Sequence, residues 1–348
     1  MLDQSLTRRR FLAGSTAAVG LAAAGLAGCG PSHPPNGPEP PSPAGSADGV
    51  PFLERSEREG VIRWRGAENL IIENMRFTNR PYAGNNGNDH VCILLTDCKN
   101  IIIRNVDFEA VAQPLVVGRN CENIRVEWCR VRNITGPSNR LGIHSGNFMQ
   151  TVDAPTNINI VDNLIVGGDT EDIVSFFTAV GGLCARNKID GSGWVSTSGT
   201  GIILGDGGGN GIVVEENTLL NPGQVGIGIA GGQDHVVRNN TIFQASQSHR
   251  SAWFDADGDL VEPAAVGATE QMIRSNVGIY SRNFYPDIAF GGSVVHGNRV
   301  RVWSDEEGVW NGFWDGDNGA AVSEFDNNWT DESIDPANLS VDLNEWVR

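Results

Sequence analysis

A short unit, asparagine followed closely by apolar residues, returns along this chain at intervals in the twenties and thirties. It reads Asn74-Met75-Arg76-Phe77, Asn105-Val106-Asp107-Phe108, Asn163-Leu164-Ile165, Asn187-Lys188-Ile189, Asn217-Thr218-Leu219, Asn240-Thr241-Ile242, Asn276-Val277-Gly278-Ile279 and Asn298-Arg299-Val300. The tightest gaps are 24, 23 and 22 residues, between 163 and 187, 217 and 240, and 276 and 298. Gaps of 30 to 36 read as the same coil carrying an insertion, and the stretch from 105 to 163 as two coils. A period of this length marks a stacked solenoid, whose coils cannot bury their apolar faces alone. Stacked asparagine amides then hydrogen-bond from coil to coil.

Apolar or alternating runs precede the turn asparagines, as in Asn69 to Ile72, Asn100 to Ile103 and Asn157 to Ile160. These are strand patterns. A second strand set comprises 91–95, 114–117, 148–152, 173–177, 202–204 and 225–229. Two parallel strand sets per coil, Gly/Asn corners and no helical periodicity predict an all-β fold, a single-stranded right-handed parallel β-helix. Right-handedness is the default for parallel crossovers. About nine to ten coils are expected over residues 50–304, with 305–348 as a C-terminal cap. The cap carries Trp303, Trp310, Trp314, Trp329 and Trp346 at or near it, suited to covering an open sheet end.

The first residues read as an address. Thr7-Arg8-Arg9-Arg10-Phe11-Leu12 precedes an Ala/Gly-rich apolar stretch that ends in Leu26-Ala27-Gly28-Cys29. This is a twin-arginine export signal. Its end resembles the lipobox of lipoproteins, which implies lipid attachment at Cys29 and residence at the outer face of the cell membrane. Residues 30–49, rich in Pro, Gly and Ser, read as an extended tether.

The chain has 25 basic and 42 acidic side chains, net −17. Removing residues 1–28 takes Arg8, Arg9, Arg10 and Asp3, leaving 22 against 41, net −19. Lysine occurs only at Lys99 and Lys188. Strong acidity with little lysine resembles proteins of extreme halophiles, and the field argues against nucleic acid as a partner.

Asp97-Cys98-Lys99-Asn100-Ile101 and Asn120-Cys121-Glu122-Asn123-Ile124 align, 23 residues apart. Stacked on neighbouring strands, Cys98 and Cys121 come within disulfide range, and export permits the bond. Two buried free thiols are the alternative. Cys129 takes a turn-asparagine position and reads as packing. No cysteine spacing matches a zinc or iron–sulfur site. Asp255 to Asp259 has the Asp spacing of a calcium loop but lacks the glutamate of an EF-hand.

Over about residues 55–330 the chain resembles the pectate-lyase-like right-handed β-helix superfamily, with PbH1-type repeats. Within it, the closest likeness is to a group that shares segments such as Gly136-Pro137-Ser138-Asn139-Arg140, Glu171-Asp172-Ile173-Val174-Ser175, Gly205-Asp206-Gly207-Gly208-Gly209 and Asn221-Pro222-Gly223-Gln224-Val225-Gly226. The superfamily includes pectate and alginate lyases, polygalacturonases and adhesins, so the resemblance implies polysaccharide as the partner without fixing a reaction.

Polar residues at the ends of the second strand set should line up, spaced to meet successive sugar units. Gln113, Asn147, Glu171-Asp172, Thr200 and Gln224 precede those strands, and Asp97, Arg119, Asp153, Asp206 and Asp234-His235 follow them. The candidate catalytic residues are Glu171, Asp172, Asp206 and Arg140, with Gln150, Gln224 and His90 as substrate contacts. Two carboxylates on adjacent coils can divide acid and base roles. Alternatively Asp172 and Asp206 hold a calcium ion that acidifies a uronate α-carbon beside an arginine. Insertions at 135–147 and 191–200 would wall the groove. The expected function is therefore a polysaccharide lyase or a glycoside hydrolase, with non-catalytic glycan binding or an envelope structural role as the alternative. A purely conformational Gly205–Gly209 corner and solvent-facing carboxylates would favour that alternative.

Overall fold

A computed structural model describes residues 56–343 except 58–60, 81–90, 136–146, 170–171, 192–199, 224, 246–247, 255–268, 275–276, 304–310 and 317–321. Residues 54–343 form one compact unit. It is a right-handed parallel β-helix. Its first face is a nine-stranded parallel sheet of Ile62–Arg65, Val91–Thr96, Gln113–Val117, Met149–Thr151, Val174–Phe177, Thr200–Asp206, Val225–Ile229, Val277–Ser281 and Asn311–Asp315. Eight of these strands lie within residues 50–304, fewer than the nine to ten coils expected there, and the ninth, Asn311–Asp315, lies beyond that span.

The middle coils carry two further strands, which run together as Glu68–Arg80 and Lys99–Val111 in the first two coils, so there are three strand sets, not two. In one coil they are Val180–Ala185 and Lys188–Asp190; in the next they are Asn210–Glu215 and Thr218–Leu220. The residues after the turn asparagine, which the sequence presents only as a short apolar tag, are the third set. Second and third sets join around their shared bend into one 18-stranded sheet.

The bend is where the repeat originates. Asn163, Asn187, Asn217, Asn240 and Asn298 are 0–1% exposed. Each Nδ2 donates to the Oδ1 of the next rung at 2.9 Å, and Asn298 continues the ladder to Asn327 at 2.9 Å. Each Oδ1 also accepts the backbone N–H of the preceding rung at 2.9–3.1 Å. Cys129 is the foot of this column, donating its N–H to Asn163 Oδ1 at 3.0 Å. The residue before each rung turns the chain at positive φ, 52–56° at Asp162, Arg186, Glu216, Asn239 and Asp326 and 65° at Gly297. Asn74 and Asn105 do not belong to this ladder. They hold φ 55° and 54° themselves, with Asn105 Nδ2 bonded to Asn74 Oδ1. Asn276 lies outside the described residues. A second, exposed ladder of Asn69, Asn100, Asn123 and Asn157 marks the start of the second strand set, at φ 52–56° and 2.7–3.0 Å per rung.

The interior is apolar throughout, from Ile72, Phe77 and Ile93 to Ile279 and Val300. Phe77 stacks on Phe108 at 5.4 Å, because their strands place them opposite one another. Outside, arginines bond carboxylates, as in Arg130–Asp107 at 2.7 Å and Arg186–Asp162 at 2.8 Å.

Three expectations change. The disulfide does not form: Cys98 and Cys121 are buried free thiols, and Cys98 Sγ points at the carbonyls of Thr96 (3.2 Å) and Trp64 (3.4 Å). Parallel strands carry their Cβ bonds side by side at the ~4.8 Å strand spacing, whereas a disulfide draws two Cβ atoms to about 3.8 Å. The boundary at 304 also moves, since Asn311–Asp315 and Val322–Phe325 build one more coil. Trp329 then closes the core by stacking on Phe313 at 5.2 Å. Beyond it the tail leaves the open end and runs back along the flank. Asp331 bonds Arg299 (2.6 Å), Ile334 packs on Leu220 and Phe243 of the third strand set, and Leu343 O accepts from Arg130 (3.0 Å). The third change is an antiparallel hairpin, Ser248–Phe254 with Thr269–Arg274, which fills the 36-residue gap read as an insertion.

Candidate functional site

The ladder registers place the candidate residues at opposite ends of the first-face strands. Gln113, Asn147, Asp172 and Thr200 fall in one row at the strand entries, as the alignment anticipates, and are 6%, 6%, 5% and 1% exposed. Asp172 Oδ1 accepts the backbone N–H of Thr200 at 2.9 Å. Its own N–H donates to Asn147 Oδ1 at 3.4 Å. This carboxylate ties one coil to the next much as a ladder asparagine does. Gln150 lies on the outer face and accepts from Gln113 Nε2 at 3.3 Å.

Asp206 is elsewhere. Its register partner is Phe177, five residues along the strand from Asp172. At ~3.3 Å per residue that separates the two by about 16 Å. The expected acid–base pair, and the calcium site built on the same two residues, are therefore not assembled. Among the described residues no three His, Cys, Asp or Glu side chains converge. Glu171, Arg140, Gln224, His90 and Cys29, with both proposed wall insertions apart from their end residues, lie outside the described residues.

What surrounds Asp206 is a group the repeat does not reveal. Phe176 pairs with Leu204 but Phe177 with Asp206, so Gly205 is an extra residue, a bulge at φ +65°. The bulge turns Asp206 outward, where its Oδ1 accepts from the Tyr285 hydroxyl. Along the outer face Gln150, Ser175, Ile203, Gly228, Tyr280 and Trp314 fall in register. Gly228 leaves room for the Tyr280 ring, since a Cβ there would stand 2.6 Å from Tyr280 Cζ. Tyr280 meets Phe284 and Trp314 edge-on at 5.9 and 6.3 Å. The Arg282 guanidinium lies over Phe284 at 5.0 Å and over Trp314 at 5.8 Å. The result is a small aromatic cluster in which Tyr280 and Phe284 are buried, 4% and 8% exposed, and Trp314 and Arg282 form a partly exposed shelf beside a phenol–carboxylate pair. One signal was available: residues 280–285 hold two of the chain's three tyrosines together with Arg282 and Phe284.

His235, beside the same corner, is structural. It is 0% exposed, its Nδ1 accepts from Ile212 N–H at 3.3 Å, and Nε2 therefore donates to Gly231 O at 3.2 Å. Burial pushes its pKa down to about 4. A folded pKa below the ordinary 6.5 means that the neutral ring stabilises the fold above pH 6.5, and that this contribution is lost as pH falls from 6.5 towards 4. Stability should drop by up to ~3 kcal/mol across that window. Denaturant midpoints measured at several pH values check this, and His235→Gln should flatten the slope. An unchanged slope in the variant would assign the titration elsewhere.

No family model matches the sequence, and no curated protein matches it. A solved structure described as a PL6 family alginate lyase, AlyGC, aligns at 10% identity over 76% of this chain and 50% of that chain, with a TM-score of 0.20. The aligned region thus spans half the length of that enzyme, and no activity is transferred from it.

Proposed function

We propose that this chain is exported by the twin-arginine route, anchored by lipid at Cys29, and engages polysaccharide on the outer face of its nine-stranded sheet. The supporting observation is the partly exposed shelf of Trp314 and Arg282 beside the Tyr285–Asp206 pair, held in place from beneath by the buried rings of Tyr280 and Phe284. A sugar ring offers an apolar face to an aromatic plane and hydroxyls to carboxylate, phenol and guanidinium groups around it. Coils ~4.8 Å apart extend that face in steps suited to a linear chain. Binding is favoured over chemistry because Asp172 already serves Thr200 and stands about 16 Å of strand from Asp206.

A second reading, a lyase or glycoside hydrolase, is favoured by the Tyr285–Asp206 contact alone. A phenol bonded to a carboxylate can pass a proton to or from a substrate. Purified protein should be screened in high salt against uronate and neutral glycans, since the net charge of −17 repels anionic chains when unscreened. Retention of a glycan is expected, weakened about tenfold in Trp314→Ala by loss of a stacking contact. Unsaturated-uronate absorbance, or new reducing ends, abolished by Tyr285→Phe, would establish the enzymatic reading. Retention of no glycan, or full affinity in Trp314→Ala, would remove the shelf as the site.

A further inference from the structure

The chain carries four Asn-x-Ser/Thr acceptor triplets: Asn133-Ile134-Thr135, Asn239-Asn240-Thr241, Asn328-Trp329-Thr330 and Asn338-Leu339-Ser340. All four acceptor asparagines are exposed, including Asn239, whose place beside the buried ladder suggests otherwise. Exposure of the amide therefore does not separate them. The middle residue does. A transferase must seat the asparagine together with the hydroxyl two residues on, and so must draw the segment between them off the protein surface.

In three triplets that segment is part of the solenoid. Ile134 is 0% exposed and belongs to the core. Asn240 is a rung of the buried ladder, bonded to Asn217 and Asn298 at 2.9 Å each. Trp329 closes the core against Phe313, and Asn328 is fixed by backbone bonds of 2.8 Å to Asn298 O and from Val300 N–H. Using any of these would mean opening a coil. A protein exported by the twin-arginine route reaches the outside already folded, so a transferase there meets finished coils.

The fourth triplet stands apart. Asn338 ends a single 3₁₀ turn, Pro336–Asn338, on the tail that follows the last coil. Its N–H bonds Asp335 O at 3.0 Å and its amide donates to Asp335 Oδ2 at 3.2 Å, both contacts within the turn. Ala337 and Ser340 are exposed, and Leu339 is only partly buried, against the Ile334 cluster. A turn of this kind opens locally without touching the ladder. It also lies on the flank formed by Leu220 and Phe243, a different face from the one that carries the aromatic shelf.

We propose that Asn338 is an N-glycan acceptor and that Asn133, Asn239 and Asn328 stay unmodified. The donor is a lipid-linked oligosaccharide. Asn338 Nδ2 bonds to C1 of the first sugar, the bond from C1 to the lipid phosphate oxygen breaks, and the amide proton leaves as the lipid phosphate is released. The assignment rests on the export reading given above.

The test is peptide mass spectrometry of the full chain isolated from the cells that naturally make it. No Lys or Arg lies between Arg301 and Arg348, so trypsin leaves Asn328 and Asn338 in one peptide. A second cleavage at acidic residues, at Asp331 or Asp335, separates them. A glycan mass on the Asn338 fragment alone is expected. Ser340→Ala should abolish it without shifting the denaturation midpoint, because Ser340 is exposed and outside the coils. The N-terminal peptide of the same sample reports on export. A bare Asn338 in protein that begins at lipid-modified Cys29 overturns the acceptor assignment alone. A glycan on Asn133, Asn239 or Asn328 overturns its selectivity. Protein that retains Met1, with Asn338 bare, overturns the export reading and the acceptor together.

Discussion

Asn217→Ala is expected to lower folding stability by about 3–5 kcal/mol, several times the effect of an ordinary surface substitution. Asn217 is 1% exposed. Its Oδ1 accepts both the backbone N–H and the side-chain Nδ2 of Asn187 at 2.9 Å, and its Nδ2 donates to Cys184 O at 2.8 Å and Asn240 Oδ1 at 2.9 Å. Alanine leaves two buried donors of Asn187 without their acceptor, and water cannot reach them. Each such group costs about 1–3 kcal/mol, and the cavity adds to that. Asn217→Asp should be no better, because a carboxylate cannot donate to Cys184 O or to Asn240 Oδ1. The control is Asn123, a rung of the exposed ladder at φ 56°. Asn123→Gly should cost under ~1 kcal/mol, since water replaces the lost amide and glycine accepts the left-handed conformation. Denaturant midpoints in high salt decide the matter. Equal losses at 217 and 123 would show that the buried ladder is not what holds the coils in register.

That contrast also explains what the sequence discloses. The buried amide rung is asparagine from Asn163 to Asn327, because its short amide both donates and accepts across a ~4.8 Å step without reaching past it. So the rung recurs as a letter, and the fold is legible from it. The exposed corners accept any residue tolerant of positive φ, and the column of Asn69, Asn100, Asn123 and Asn157 continues as Gly181 and Gly211. Such columns fade as patterns. Cys129 takes the rung position and donates its N–H there, whereas Asn74 and Asn105 misled by carrying the right letter one residue early at the same bend, in register with Trp128 at positive φ. The site is less legible for a related reason. Alignment correctly gathers Gln113, Asn147, Asp172 and Thr200 into one row, but burial and coil-to-coil bonding account for that row. The shelf depends on residues from coils interrupted by an inserted hairpin, with Tyr285 meeting Asp206 across 79 positions. No period connects such residues. Tail residues 331–343 were equally opaque, since an apolar residue that straps a flank looks the same in sequence as one that covers an end.

Gly205→Ala is expected to be the most damaging single change near the shelf, costing about 2–5 kcal/mol. Two effects add. Gly205 holds φ +65°, where a side chain meets its own backbone. A Cβ there would also stand 1.9 Å from Gly231 O and 3.1 Å from His235 Nε2, and the first of these is backbone that cannot rotate away. The strand has one way to relieve the clash, which is to lose the bulge. Without Gly205 as the extra residue, the pairing that sets Asp206 opposite Phe177 shifts by one position, and a one-residue slip sends a side chain to the other face of its strand. Asp206 would turn away from Tyr285, so the variant should lose whatever glycan affinity the phenol–carboxylate pair contributes as well as stability. Asp206→Asn separates the two consequences. It keeps the bulge and an acceptor for the Tyr285 hydroxyl, so its stability should stay within ~1 kcal/mol of the parent, while any function that needs the negative charge falls. If Gly205→Ala folds with parental stability, the strand absorbs the added methyl and the bulge is not what aims Asp206. If Asp206→Asn binds and reacts as the parent does, the carboxylate at this corner is conformational and the shelf works through its aromatic rings alone.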